Sequence, residues 1–372
     1  MSTQQTAPVD YRSDVAALSR ARVEREAEAD PDSAGATTEV LTLRHREVML
    51  TGGRPEEILV LARRVDRAVE RFPAWPDVRL LRATLALAVH RADEAAAALA
   101  AVPGLTELPA GRVLAADVAQ FSGEYARARE EYLRAARDEQ QWDTTARLAA
   151  LATATGRCDE ADDLYAAAEE EITAKQMRSF AWVRVQRGAL AQALGEFERA
   201  GRHLADAERA YPGWWYVGAS RAALDVSLGR QGQAAAGYRA VLAEVDRPDF
   251  REAHGSVLAA TGDADGAADC HARALSAYLA SAARGEVHYY HHLAAFYADV
   301  RPSPQVAISW AEQDVALRRT GATLSLLAWC LHRAGRTGEA LAAVEEAFAL
   351  GAGDPLLQQR ARVIRETRGD ST

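Results

Sequence analysis

A turn-forming residue recurs along this chain at intervals of 33 to 40 residues, and this period restricts the possible folds more than any other feature. The recurring positions are Gly53, His90, Gly123, Gly156, Gly195, Gly229, Gly262, Pro302 and Gly335. Five residues after each of the last eight stands an alanine, at Ala95, Ala128, Ala161, Ala200, Ala234, Ala267, Ala307 and Ala340. Such a period predicts similar units that stack and bury one continuous core.

Residues 186–212 show what one unit contains. Apolar residues at helical spacing lead to a break at Gly195 and resume after it until a proline ends the run. Gly188 and Ala200 are small enough to let two helix backbones approach to about 8 Å, with Phe197 and Leu204 beside them. The pattern therefore predicts a helical hairpin joined by a tight turn.

The nine recurring turn positions, which we call markers, and the alanines five residues after them resemble the tetratricopeptide repeat (TPR) family, bacterial type, over about residues 37–352. The resemblance implies an all-α fold, a right-handed superhelical solenoid of about nine helix-turn-helix units with terminal capping helices. Where the family has a tryptophan near the start of the first helix, only some units keep an aromatic residue, and the units marked by Gly53 and Pro302 are degenerate. Between Gly156 and Gly195 the longer spacing allows either a longer return helix or a longer loop.

The chain divides on this basis into four segments. Residues 1–9 are expected to be a disordered tail, 10–35 an N-terminal helix and linker, 36–353 the TPR-like solenoid, and 354–372 a C-terminal capping helix and tail. The N-terminal helix is open to three interpretations: a cap on the first unit, a free helix, or a lid over the groove of the solenoid.

Composition excludes several classes of function. The net charge of -9 argues against a nucleic-acid partner, whose phosphates favour a basic surface. No apolar run is long enough for a membrane helix, no secretory signal opens the chain, and three widely spaced cysteines fit a reducing compartment. We therefore expect a cytoplasmic protein without membrane insertion. The sequence leaves its oligomeric state open.

The family resemblance implies that the first helix of each unit lines a concave groove, with positions two, five, nine and twelve facing inward. Position two includes Asp77, Ala110 and Asp143 in the N-terminal half, and position nine includes Thr84. Aromatic residues collect further along, so the C-terminal half is expected to be the main site for a protein or peptide segment or a small ligand. The expected groove-binding residues are Trp182, Tyr216, Tyr289, Phe296 and Trp329. The alternative is that these rings pack between helices as core.

Six of the nine histidines lie in the last third of the chain, which suggests a second kind of site. If a helix begins near Glu286, His288 and His292 lie one turn apart, and Glu252 holds the same place as His292 one unit earlier. These three would suit a divalent metal such as zinc, iron or copper. The alternatives are charge-complementary groove contacts and acid-base chemistry without a metal.

Asp299 and His332 share another groove position in neighbouring units, as a second shell or proton relay for that site. The chain has no phosphate-binding glycine loop, HExxH helix, CxxC pair or nucleophile elbow. No catalytic residue is assigned, no cofactor other than the metal is implied, and a binding scaffold is favoured over an enzyme.

Overall fold

The computed structural model describes residues 10–138 and 141–369, and within them all regular structure is helical. The expected disordered tail at residues 1–9 lies outside the described residues. The first ten α-helices are α1 (Tyr11–Glu28), α2 (Ala34–Leu50), α3 (Pro55–Arg71), α4 (Pro76–Ala88), α5 (Ala92–Ala100), α6 (Pro109–Phe121), α7 (Tyr125–Asp138), α8 (Trp142–Ala154), α9 (Cys158–Glu171) and α10 (Met177–Ala193). The other ten are α11 (Phe197–Ala210), α12 (Trp215–Ser227), α13 (Gln231–Glu244), α14 (Pro248–Ala260), α15 (Ala264–Ala283), α16 (Tyr290–Ala295), α17 (Pro304–Leu317), α18 (Gly321–Arg333), α19 (Thr337–Ala349) and α20 (Pro355–Gly369). A 3-10 helix at Leu105–Glu107 precedes α6, and a π-helical segment at Phe296–Val300 continues α16.

Helices α2 to α19 pair in chain order as nine helix-turn-helix hairpins, units 1 to 9, and this confirms the predicted right-handed solenoid. The predicted turn positions also hold, because every marker except Pro302 has a positive φ. His90, with φ of 64°, is the one non-glycine residue with positive φ in the described part of the chain. The sequence period therefore reflects a left-handed turn residue that ends the first helix of almost every unit.

Proline fixes where many helices begin. Pro55, Pro76, Pro109, Pro248 and Pro304 each stand in the first turn of a helix. Proline is tolerated there because the first helical amides have no intrahelical acceptor, and its fixed φ already matches a helix.

The two longest spacings between turn positions are accommodated by longer helices. Between Gly156 and Gly195 the return helix α9 keeps 14 residues, whereas α10 has 17, against 13 in α8 and in α12. The extra length thus lies mainly in the first helix of unit 5. Between Gly262 and Pro302 the return helix α15 extends to 20 residues.

The helices at the two ends close the core, as predicted. α20 packs against α18 and α19 through Leu357, Ala361 and Ile364, none more than 1% exposed. α1 contacts unit 1 through the ion pair between Glu26 and Arg44, 2.8 Å apart. α1 therefore caps the first unit.

Units that are distant in the sequence also contact each other. Residues near the turns of units 1 to 4 form hydrogen bonds with residues of units 6 to 9 and of their connections, along a line that we call the seam. Its hydrogen bonds are Trp215 Nε1 to the Leu50 carbonyl (2.8 Å), Arg247 to the Gly52 carbonyl (2.9 Å), Arg91 to the Gly285 carbonyl (3.1 Å), the Gly321 amide to the Tyr125 hydroxyl (2.8 Å) and the Gly353 amide to the Ala154 carbonyl (3.0 Å). The units therefore contact more than their neighbours in the sequence.

Backbone passes so close to backbone at the seam that some positions have no room for a side chain. A Cβ on Gly123 would lie 2.2 Å from the Arg319 carbonyl oxygen, and one on Gly156 would lie 2.5 Å from the Gly353 carbonyl oxygen. These separations are far below van der Waals contact, so both positions require glycine.

Apolar side chains continue the seam into the core. One cluster joins Ala116, Tyr132 and Leu151 of units 3 and 4 to Leu324 and Leu357 near the C-terminal end. Because these residues are buried, units 3 and 4 share a hydrophobic core with the C-terminal end of the solenoid. None of the described helices has both the length and the apolar character needed to cross a membrane.

Candidate functional site

A concave cavity of 480 Å³ lies on the first four units, and we call it the groove. Its walls come from α2, α4, α6 and α8, which are the first helices of consecutive units, with one residue from α7. The lining residues are Thr42, His45, Asp77, Leu80, Leu81, Thr84, Pro109, Ala110, Val113, Leu114, Ala135, Gln141, Asp143, Thr144 and Arg147. The volume lies in the range of about 300–1,000 Å³ that is typical of ligand pockets.

The middle of the groove is apolar. Leu81 and Leu114 are buried, at 7% and 8% exposed, while Leu80 and Val113 are half-buried and present part of their side chains to solvent. Aliphatic side chains from neighbouring first helices thus form a floor that an apolar side chain of a ligand can contact.

Arg147 is the most firmly held polar group in the groove. Its Nε donates to Asp117 at 3.1 Å and a terminal nitrogen donates to Asp143 at 3.0 Å. The Tyr132 hydroxyl also donates to Asp117, at 2.5 Å. Burial raises the pKa of Asp117, and the nearby Arg147 guanidinium opposes that rise. This network fixes the guanidinium at the groove wall, so it meets a ligand with little loss of side-chain entropy.

The remaining charge in the groove is negative. Asp77 is exposed, and no described residue forms an ion pair or hydrogen bond with its carboxylate. Burial lowers the pKa of His45, which keeps its imidazole neutral near pH 7. Asp77 and Asp143 therefore outweigh the single cation Arg147, and the groove favours a ligand that carries positive charge.

The structure does not gather the five expected groove-binding aromatics into one patch. Tyr289 and Phe296 are 4% and 1% exposed, so both rings pack in the interior. Trp182, Tyr216 and Trp329 are half-buried, and each has a neighbour within the chain. Trp182 lies against Trp142, the Tyr216 hydroxyl accepts from Gln186 at 2.9 Å, and Trp329 donates to Asp299 at 2.9 Å.

The helical spacing assumed for the histidine site is wrong. α16 begins at Tyr290 rather than near Glu286, so His288 lies in the preceding turn and not one helical turn before His292. His288 is 5% exposed, and its Nε2 lies 3.2 Å from the Ser281 hydroxyl. Its ring is thus held against α15.

The other two expected ligands have separate partners. Glu252 accepts from the Tyr278 hydroxyl at 2.8 Å, and the Tyr278 ring stacks on His292 with centroids 5.4 Å apart. Burial raises the pKa of Glu252 to about 7 and lowers those of His288 and His292 to about 4. Within residues 10–138 and 141–369, no three His, Cys, Asp or Glu side chains are grouped so as to hold a metal ion. A metal at His288, His292 and Glu252 stays a prediction that metal analysis of the purified protein would test.

Asp299 and His332, the pair expected to support the histidine site, lie around Trp329. Asp299 accepts the indole hydrogen bond, and the His332 ring lies 5.4 Å from the indole ring. Asp299 also lies 3.6 Å from the Arg333 guanidinium. These contacts make a polar cluster on the last two units.

The distribution of aromatic residues in the sequence did not indicate the groove on units 1 to 4. The signal was present, because Asp77, Ala110, Asp143 and Thr84 occupy the inward positions implied by the repeat register and all four line the groove. In units 2 to 4 these register positions line the groove, whereas Tyr289 and Phe296 at the same positions of unit 8 are buried.

Comparison with known proteins supports the fold alone. No family model and no curated protein matches the sequence. One matching structure is a chain from the crystal structure of the APC/C hetero-tetramer Cut9-Hcn1, at 12% identity and a TM-score of 0.51 over 93% of this chain. This chain spans 59% of the length of that one. The human IFIT1 dimer with m7Gppp-AAAA is also similar, at 17% identity and a TM-score of 0.53 over 86% of this chain and 72% of that one. The class defined by the fold is therefore a TPR-like helical solenoid.

Proposed function

We propose that this protein is a binding scaffold that holds an extended protein segment in the groove of units 1 to 4. The observation that carries the proposal is the groove itself, where four successive first helices present an apolar floor beside the fixed Arg147 guanidinium. An extended chain lying across these helices would place apolar side chains on Leu80 and Val113. Its backbone carbonyls would lie within reach of Arg147.

The charge of the groove favours a protein segment over RNA. IFIT1 is solved with a capped oligonucleotide, m7Gppp-AAAA, so a fold of this kind does not itself exclude a nucleic acid. In this chain, however, Asp77 and Asp143 lie at the groove and the net charge is -9. A phosphate backbone would be repelled there, whereas a segment with lysine, arginine or a free amino group would be attracted.

The test is selection from a displayed library of random linear peptides, followed by affinity measurement on the selected peptides. Val113→Asp introduces a charge into the apolar floor and should weaken binding by about tenfold or more, equivalent to about 1.4 kcal/mol. The matched control is Leu194→Asp, because Leu194 is 41% exposed and lies in unit 5 outside the groove.

Equal affinity of wild type and Val113→Asp for the selected peptides would contradict the proposed site. Selected sequences should be enriched in basic and aliphatic residues. Failure to select any peptide, together with single-stranded RNA binding that Val113→Asp abolishes, would replace the protein segment with RNA as the ligand.

A further inference from the structure

A second cavity, separate from the groove, lies where unit 1 meets unit 7 across the seam. It has a volume of 710 Å³ and is walled by α2 and α3 on one side and by α14, α15 and the connection before α14 on the other. We call it the cleft. The bond from Arg247 to the Gly52 carbonyl joins the same two layers, so the cleft exists only because the superhelix closes on itself.

Charged residues of both signs line the cleft, and most of them already have partners. Glu57 pairs with Arg54, and Asp246 pairs with Arg251. Glu56 and Arg273 have fewer contacts with other charged groups. Glu56 forms no ion pair or hydrogen bond with any described residue, and the closest carboxylate to Arg273 is Asp269, at 3.6 Å across an exposed helix face. The cleft therefore offers one anionic and one cationic group to a ligand.

Between the charged groups the walls are aliphatic. Val48, Val60, Leu61, Pro248 and Ala277 line the cleft, and Val60 is 53% exposed. A ligand that fits must combine a positive end, a negative end and an apolar body in between.

We propose that the cleft binds a short peptide with free termini, its ammonium group at Glu56 and its carboxylate at Arg273. Aliphatic side chains of the peptide pack on Val60 and Pro248. Because such a ligand touches both layers of the superhelix, its binding also stabilises the closed form of the protein.

The experiment is calorimetric titration of the full chain with tri-leucine in three forms: unmodified, N-acetylated and C-amidated. The unmodified peptide should bind at least about tenfold more tightly than either blocked form. Glu56→Gln should remove the discrimination against the N-acetylated form alone, and Arg273→Gln should remove that against the C-amidated form alone. Both residues are exposed, so folding should be preserved, which circular dichroism checks.

Glu198→Gln and Arg202→Gln on α11 are the matched controls, since both residues are exposed and lie outside the cleft. Val113→Asp in the groove should leave tripeptide binding unchanged, which separates the two cavities. No binding of unmodified tri-leucine, equal binding of all three forms, or unchanged discrimination in both cleft variants would overturn the proposal.

Discussion

Gly123 and Gly335 adopt the same left-handed backbone conformation, with φ of 78° and 75°, but only Gly123 lies at the seam. A Cβ on Gly335 would meet nothing within 4 Å, whereas one on Gly123 would collide with the Arg319 carbonyl. Gly335→Ala should therefore cost about 1–2 kcal/mol from backbone strain alone. Gly123→Ala should cost a further 1–3 kcal/mol, about what overpacking costs in a core. Urea unfolding of the two variants measures the difference, and equal losses would mean that the seam contact does not form.

Glu252 gives the protein a pH dependence of known sign. Its pKa is raised from 4.5 to about 7, so the folded protein holds this proton more tightly than the unfolded chain does. The resulting stability is fully present below about pH 4.5 and is lost as pH rises through about 7, at most about 3 kcal/mol in total.

Glu252→Gln keeps an acceptor for Tyr278 but cannot ionise. Between pH 5 and pH 8, the unfolding free energy of this variant should therefore rise relative to wild type. Urea midpoints across this range give the measurement, and Glu198→Gln on the exposed face of α11 is the control. Parallel pH profiles for wild type and Glu252→Gln would show that Glu252 is not buried as described.

Individual residues show which structural features the sequence could predict and which it could not. The turn role of His90 followed from its place in the register, and its φ of 64° confirms it. The burial of Tyr289 and Phe296 did not follow, because an inward position in a repeat is exposed only where no other part of the chain packs against it. The position of a residue in the repeat predicts the direction of its side chain, whereas the exposure of that side chain to solvent depends on tertiary packing.

Helices α10 and α11 pack closely because Gly188, at their contact, has no side chain. A Cβ on Gly188 would lie 3.1 Å from Leu204 Cδ2, and Ala200 is fully buried beside it. Gly188→Leu should separate the two helices and cost about 1–3 kcal/mol, whereas Glu198→Leu on the exposed face of α11 should change stability by less than about 0.5 kcal/mol. Thermal or urea unfolding compares them, and similar losses would place the helix interface on another face.

Helix α1 is attached to units far apart in the sequence. Tyr11 is 6% exposed, its amide donates to the Pro212 carbonyl at 3.1 Å, and the Tyr211 hydroxyl donates to Asp14 at 2.6 Å. Tyr11→Ala should therefore lower the free energy of unfolding by about 2–4 kcal/mol, while Arg20→Ala on the exposed side should have little effect. A free helix or a mobile lid would leave stability unchanged in both variants, as measured by urea titration.

The whole molecule differs from an open repeat array because units 1 to 4 contact units 6 to 9. In an array whose units touch only their neighbours, regions of different stability unfold separately. Here the seam couples distant units, so tryptophan fluorescence and far-ultraviolet circular dichroism should report one coincident urea transition. Gly123→Ala combined with Gly156→Ala should separate the two transitions and lower the apparent m value. Separate transitions already in the wild type would mean that the two layers fold independently.

The sequence predicted the units but not the seam, and the reason is geometric. Helix boundaries and turns depend on residues within one 34-residue period, whereas the pitch of the superhelix accumulates from small rotations between successive units. Gly321 and Gly353 lie outside the repeating turn positions, and both make seam contacts. Gly232 and Gly338 also lie outside the repeating turn positions but have nothing within 4 Å of an added Cβ, so glycine position alone did not indicate closure.

The seam also determines when the fold can be completed during synthesis. Its bonds join residues 194 to 196 positions apart at Arg91, Arg247 and Tyr125. When units 1 to 4 leave the ribosome, the residues that cover their seam face have not yet been translated. This nascent half exposes apolar surface until units 6 to 9 emerge, and over that interval it is open to aggregation or to capture by a chaperone.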